Sequence, residues 1–175
     1  MKSENELRRE RRLGWIVVAT LLALAGVLIV TVRFVVTNHL VPSGSMIPTI
    51  HPRDRVVVNH LAYAFGGKPR IGDVVAYRHK VLSLYRLVAG PGDTIEMREN
   101  VLFLNGKQRH EPYTRITPDI PALRSFGPLT VPAGHYFLLG DNRDQANDSR
   151  FQGFIAEEQI IGRMIYVLHV GQCEE

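Results

Sequence analysis

From Leu13 to Val32 the chain reads LGWIVVATLLALAGVLIVTV, with no charged residue. At 1.5 Å rise per residue, a helix of that length covers about 30 Å, the thickness of a bilayer's hydrocarbon core. A helix packed in a soluble core would carry a polar stripe at helical spacing, and this run has none. The pattern predicts a membrane helix over residues 13–36. A cleavable leader has a shorter apolar region, about 7–15 residues, ending in a small-x-small site. Arg33-Phe34-Val35-Val36-Thr37 holds no such site, and Ala23-Leu24-Ala25 lies in the middle of the run, so an uncleaved anchor is expected. Arg8, Arg9, Arg11 and Arg12 precede the run and Arg33 alone follows it. That asymmetry places residues 1–12 in the cytoplasm and residues 37–175 outside the cell membrane.

After the anchor the period changes. Short β-branched runs alternate with turn signals, which predicts a mainly β domain over 37–175. The expected strands are Arg55–Leu61, Asp73–Arg78, Ser83–Val88, Thr94–Arg98, Val101–Leu104, His135–Leu139 and Ile160–His169. Asn105-Gly106 suits a two-residue hairpin turn with positive φ at both positions. Residues 107–130 hold four prolines and read as a long irregular excursion. A domain of this size can bury a core without disulfides.

Composition narrows the function classes. The chain has 175 residues and a formal net charge of +4. Residues 1–12 supply five of the basic and three of the acidic groups, leaving sixteen basic against fourteen acidic. A nucleic-acid binder would show a stronger basic stripe, so no nucleic-acid partner is expected. Cys173 is the one cysteine, which excludes an internal disulfide and a cysteine-built zinc site and leaves a free thiol in the tail. No aspartate or histidine cluster has metal-ligand spacing. Neither a metal nor a cofactor is expected.

Three segments carry candidate chemistry. Pro42-Ser43-Gly44-Ser45-Met46-Ile47-Pro48-Thr49 places two serines beside a glycine and between prolines. A nucleophilic serine needs a rigid, open backbone with donors near its oxyanion, although the same residues also build ordinary turns. Ser45 lies nine residues beyond Val36, so it stays within about 30 Å of the membrane end of the anchor. That suits a membrane-tethered substrate. Gly140-Asp141-Asn142-Arg143-Asp144-Gln145-Ala146-Asn147-Asp148-Ser149-Arg150 is a charged loop directly after an apolar strand, where sites are commonly built. Tyr85-Arg86-Leu87-Val88-Ala89-Gly90-Pro91-Gly92-Asp93 alone reads as a strand ending in a turn.

Together, and in this order behind an anchor, these segments resemble bacterial type I signal peptidase, the membrane-anchored S26 serine protease that removes secretory signal peptides. Asp54-Arg55-Val56-Val57-Val58, Val131–Phe137, Gly153-Phe154-Ile155 and Ile160–Arg163 resemble the family as well. The resemblance implies a β-rich peptidase domain with Ser45 as acylating nucleophile. Ser43 and the Ser45 amide would form the oxyanion hole, and Val41, Met46 and Ile50 the substrate pocket. Arg86, Asp148 and Arg150 would be polar supports. It further implies signal peptides of exported preproteins as substrates, with small side chains at the first and third positions before the cut, and membrane lipid as surroundings.

Two positions depart from the family pattern. Its general-base lysine falls at Tyr85, and the serine that would hold that lysine falls at Ala146. The changes are physically coupled, because a hydroxyl at 146 without the amine would leave a buried group unsatisfied, at about 1–3 kcal/mol. Lys80 lies five residues from position 85, about 17 Å along a strand, and His79 sits beside it. His39, His51, His60 and His135 are base candidates by order in the chain alone. Two readings stay open at this level: an active signal peptidase, or a catalytically silent homologue that binds or assembles exported or surface proteins.

Overall fold

The computed structural model of the chain describes residues 4–78, 81–116 and 125–170. The chain divides into two compact units, Met1–Val36 and Thr37–Glu175.

The first unit is one helix, α1, Glu4–Val35. It starts well before the apolar run, because the Glu, Leu and Arg residues of the N-terminal segment are themselves good helix formers. Its stretch Arg8–Val30 contains an 18-residue window with a mean hydropathy of 2.7 and is long and apolar enough to cross a membrane. Large side chains such as Trp15 and Leu22 are exposed along it. Thr20 donates its hydroxyl to the Ile16 carbonyl at 2.8 Å, so the polar group is satisfied inside the helix, as an apolar solvent demands.

The second unit is mainly β, as the pattern predicts. In chain order its strands are β1 Val36–Leu40, β2 Arg55–Asn59, β3 Val74–Arg78, β4 Leu82–Ala89, β5 Thr94–Arg98, β6 Val101–Leu104, β7 Lys107–Gln108, β8 Phe126–Thr130, β9 His135–Leu139, β10 Ile155–Ala156 and β11 Ile160–Leu168, with two short helical turns, α2 Ser149–Gln152 and a 3₁₀ turn Glu157–Gln159. They form a seven-stranded sheet ordered β1-β2-β11-β3-β4-β9-β10 and a four-stranded sheet ordered β7-β6-β5-β8. The ladders β3/β4, β4/β9, β2/β11 and β5/β6 are antiparallel.

Two cores lie on the two faces of the central strands. Tyr136 and Leu138 of β9 pack with Tyr85 and Leu87 of β4 in the larger core, beside Met46, Ile50, Val56 and Val75. Phe137 and Leu139 point the other way, into a core shared with Ile95, Met97 and Val131. Side chains alternate across a strand, so the unbroken apolar run Tyr136–Leu139 marks a strand buried on both faces.

The structure differs from the sequence expectations at the weakly patterned elements. Strands β1, β7, β8 and β10 were not expected. β1 carries Thr37, Asn38 and His39 and runs straight on from the anchor's apolar residues, so no period separates it. β7 and β10 are two residues each. β8 contains Gly127-Pro128 and lies at a sheet edge, where a missing N–H is tolerated. β7 and β8 fall within the expected irregular excursion, of which residues 117–124 lie outside the described residues. The Asn105-Gly106 turn has φ of 52° and 75° and joins Leu104 to its partner Lys107, as expected of the left-handed pair.

Candidate active site

Ser45 sits on the loop between β1 and β2. Main-chain bonds close the loop at its neck, Val41 N–H to Asp54 O at 2.9 Å and Arg53 N–H to Val41 O at 2.8 Å. Inside the loop Ile47 N–H donates to Gly44 O and Ile50 N–H to Met46 O. The turn so formed directs the Ser45 hydroxyl towards Ser43, with the two Oγ atoms 3.2 Å apart.

The loop after β9 holds the serine loop from the other side. Asn142 donates its main-chain N–H to Ser45 O at 3.0 Å and its side-chain amide to Gly44 O at 2.9 Å. Glycine at 140 is required by space. A Cβ there would stand 2.2 Å from the Ala146 Cβ and 2.7 Å from Ser45 O, both far inside van der Waals contact.

Buried ion pairs stiffen this junction. Arg86 grips Asp141 with two bonds, Nε to Oδ1 at 2.8 Å and Nη2 to Oδ2 at 2.6 Å. It also donates to Gly72 O at 3.0 Å and lies 4.0 Å over the Tyr113 ring. Thr49 of the serine loop donates its hydroxyl to the same Asp141 carboxylate. Asp148, wholly buried, caps α2 and accepts from Gly140 N–H at 2.9 Å. Its charge is met by Arg150, whose Nε and Nη2 lie 2.9 Å from the two carboxylate oxygens. Charges so enclosed are stable only when paired and fully bonded. Arg86, Asp148 and Arg150 therefore act through the loops they hold, without touching Ser45.

Sequence reasoning missed a third layer. Arg143 donates to Gly140 O at 3.1 Å and to Glu111 at 2.7 Å. Arg115 N–H donates to Asp141 O, and Arg143 N–H to Arg115 O. The segment around Glu111–Arg115 thus laces the charged loop shut. Its turn-like, proline-bearing sequence carries no periodic signal for that role.

Tyr85 is 6% exposed and extends from β4 towards Ser45. Its hydroxyl donates to Asn147 O at 3.1 Å, and the Ser45 side chain lines the same groove, close enough to act on the phenol. Burial, and then the nearby Asp148 carboxylate, push this phenol above its ordinary value of about 10. Ala146, buried beside Gly140, presents only a methyl. Among the described residues, the side chain hydrogen-bonded to the Ser45 hydroxyl is Ser43, with Tyr85 lining the same groove, and neither is an amine.

Of the other base candidates, His39 lines the same groove as Ser45, and His51 lies beside Asp54 at the neck of the serine loop. His39 and His60 both bond to Thr37 Oγ1 at 2.7 Å, and His60 also bonds to Ile161 O. Burial, then the proximity of His60, holds His39 below its ordinary value. His135 bonds to Ala133 O. His79 and Lys80 lie outside the described residues.

Ser45 and Tyr85 open onto a groove of about 220 Å³ between β1 and the start of β4. Three strands separate β1 from β4 in the sheet order, so the sheet curls to bring them face to face. Leu40, Val41, Met46, Leu82 and Leu84 make its walls mostly apolar. Val41 and Met46, named as pocket residues from the resemblance, line this groove. Ile50 does not. It is 0% exposed in the larger core, because its position in the turn aims it beneath the loop, where it supports Met46.

No metal or cofactor was expected from spacing along the chain. Even so, among the described residues one group of donors converges, His51, Asp54 and His169, whose ligand atoms lie within 4.8 Å of one another.

Comparison with known proteins agrees with this geometry. Residues 12–169 match the family described as signal peptidase, peptidase S26. Signal peptidase I S of Bacillus subtilis is 35% identical over 184 aligned positions, covering 97% of this chain and 95% of the relative. A probable signal peptidase I-1 of Synechocystis is 33% identical, covering 83% of this chain and 78% of the relative. A signal peptidase I crystal structure from Enterococcus faecalis superposes with a TM-score of 0.50 at 30% identity, covering 56% of this chain and 97% of that one.

Proposed function

This chain belongs to the signal peptidase family, peptidase S26, and from that membership we propose that it is a membrane-anchored serine endopeptidase that removes N-terminal signal peptides from exported proteins, with Ser45 as the acylating nucleophile. The observation that carries the reading is Ser45 at the end of an apolar groove, 3.2 Å from the Ser43 hydroxyl. The small, apolar groove suits a peptide with small side chains before the cut. The four arginines before α1 support an N-terminus in the cytoplasm and residues 37–175 outside the cell membrane.

In this reading Ser45 Oγ attacks the scissile carbonyl carbon. The Ser45 N–H and the Ser43 hydroxyl donate to the oxygen that becomes negative. The C–N bond then breaks, the amine leaves with a proton, and water hydrolyses the acyl-Ser45 ester. The proton of the Ser45 hydroxyl must pass to a base. Tyr85 lines the same groove as Ser45, with its own proton resting on Asn147 O. As a neutral phenol it is a poor base. Ionising even an unperturbed phenol at pH 7 costs about 4 kcal/mol, and this one is pushed higher by burial. Turnover therefore requires alkaline conditions.

Tyr85 and Ala146 favour a second reading, in which the groove binds the same peptides and does not cut them. One experiment separates the two. The full chain in detergent is given a synthetic signal peptide, and binding and cleavage are followed for the native protein and Ser45→Ala. The peptidase reading expects both to bind and only the native chain to cleave. Equal binding without cleavage, up to the highest pH at which the chain stays folded, supports the silent reading. Equal cleavage by Ser45→Ala overturns the assignment of Ser45.

A further inference from the structure

We propose that His51, Asp54 and His169 form a binding site for a divalent transition metal ion, of which Zn²⁺ is the best chemical match, at the neck of the loop that carries Ser45.

Three elements bring the donors together. His51 is in the second half of the serine loop, Asp54 closes the loop onto Val41, and His169 follows the last residue of β11. β2 pairs with β11, with Arg55 opposite Leu168, so the residues just outside that pair, Asp54 and His169, become neighbours. His169 Nδ1 lies 2.8 Å from Asp54 Oδ2, and His51 Nδ1 lies 3.9 Å from the same oxygen. Ligands bound at about 2.0–2.1 Å in a tetrahedron stand about 3.3 Å apart. The two separations straddle that value, and the three donor atoms all lie within 4.8 Å of one another, so side-chain rotation without main-chain movement would draw them onto one ion.

A second observation points to a ligand. His51 Nδ1 is enclosed and has no hydrogen-bond partner. A buried nitrogen without a partner costs free energy. Its nearest charged neighbour is the Asp54 carboxylate, and a cation between them would satisfy both. The carboxylate is already oriented, with Oδ2 accepting from His51 N–H at 2.8 Å and Oδ1 from Val170 N–H at 3.3 Å. Such outer bonds hold a metal ligand in place.

Two imidazoles and one carboxylate suit Zn²⁺, Co²⁺, Ni²⁺ or Cu²⁺ and are a poor match for Ca²⁺ or Mg²⁺, which prefer oxygen. His169 is half exposed, so an ion can enter from solvent and water can complete the coordination. The ion would tie the neck of the serine loop to the end of β11, without contact with the Ser45 hydroxyl.

The test uses the full chain, free of any histidine tag, in detergent. Co²⁺ alone is titrated and followed by its visible absorption, with Zn²⁺ added afterwards in competition. Native protein is expected to bind one equivalent with the strong bands of four-coordinate Co²⁺, to lose them to Zn²⁺, and to melt at a higher temperature with Zn²⁺ present. His169→Gln alters an exposed side chain at a strand end, so the fold is retained and binding should weaken at least tenfold. His51→Gln should do the same. The inference is overturned if native protein shows no saturable binding, or if both variants bind as tightly as native.

Discussion

The Tyr85 hydroxyl donates to the Asn147 carbonyl at 3.1 Å, so the phenol beside Ser45 is tied to the loop that also carries Ala146. In the proposed peptidase reading, that tie would hold the proton which the phenol must lose before it can take one from Ser45. As long as the phenol keeps its proton, its oxygen can orient the serine hydroxyl but cannot remove its proton.

The first prediction is a pH profile. A base works deprotonated, so activity through Tyr85 rises as pH rises towards its folded-state value, which lies above about 10. The expected kcat/KM on a signal peptide climbs about tenfold per pH unit in the alkaline range and shows no plateau near neutrality. Tyr85→Phe should abolish the climb. A bell centred near pH 7–8 would point to a different base.

Restoring an amine and its partner gives the second. Tyr85→Lys alone places a lysine beside Ser45 without a hydroxyl to hold it, and Ala146→Ser alone adds a hydroxyl without an amine. The double variant should raise kcat/KM at neutral pH about tenfold more than the product of the single effects, as contacting groups do. Gly140 packs against Ala146, so a stability measurement on Ala146→Ser must accompany the kinetics. A double variant slower than the native chain would mean that the site already has a working base.

Gly140→Ala is expected to destabilise the second unit by about 1–3 kcal/mol. The added Cβ would meet the Ala146 Cβ at 2.2 Å and the Ser45 main-chain oxygen at 2.7 Å, and neither is a flexible tip. Denaturant unfolding reads the loss, and peptide binding should fall with it because the serine loop must shift. An unchanged midpoint would show that the two loops are not packed as described.

Removing the Asp148 charge should cost more. Asp148→Ala leaves Arg150 uncompensated in a site where both side chains are almost fully enclosed, and broken buried pairs lose about 3–5 kcal/mol. The same substitution frees the Gly140 N–H. The expected result is loss of the folded second unit at moderate denaturant, whereas Arg98→Ala, which breaks an exposed pair with Glu96, should leave the midpoint nearly unchanged.

Alkaline stability follows from the tyrosines. Burial is the leading cause that raises Tyr63, Tyr77, Tyr85, Tyr113 and Tyr136 above their ordinary value in the folded chain. In the unfolded chain they ionise near pH 10. Their contribution is therefore present in full below about pH 10 and is lost as pH rises through the folded-state values. The melting temperature should hold steady from neutrality to about pH 9 and then fall steeply.

Chain-local features were legible without a structure. The charge-free run Leu13–Val32 needs only its length to be read as a spanning helix. Alternating Val56 and Val58, and the doubly apolar Tyr136–Leu139, announce strands through the two-residue period of the pleat. Ser45, Tyr85 and Ala146 could be placed because each lies inside a short ordered motif. β1 escaped notice because its polar residues follow an apolar helix without a break, and β8 because a glycine and a proline interrupt it.

Position in a motif says which atoms a residue brings, and only packing says what those atoms meet. Ile50 was expected in the pocket from the family resemblance, but the turn rotates it into the core. The closeness of Gly140 to Ser45, the tie from Tyr85 to Asn147 and the grip of Arg143 on Glu111 join segments that are distant along the chain. His169 and Asp54 stand 115 residues apart, and no spacing rule connects them. They meet because β11 returns to pair with β2 in one particular register. Local preferences decide whether a segment is helix or strand. The register and order of the strands are decided by which apolar faces can be buried together, and it was the tertiary structure that set the surroundings of the charged and nucleophilic side chains of the described β unit.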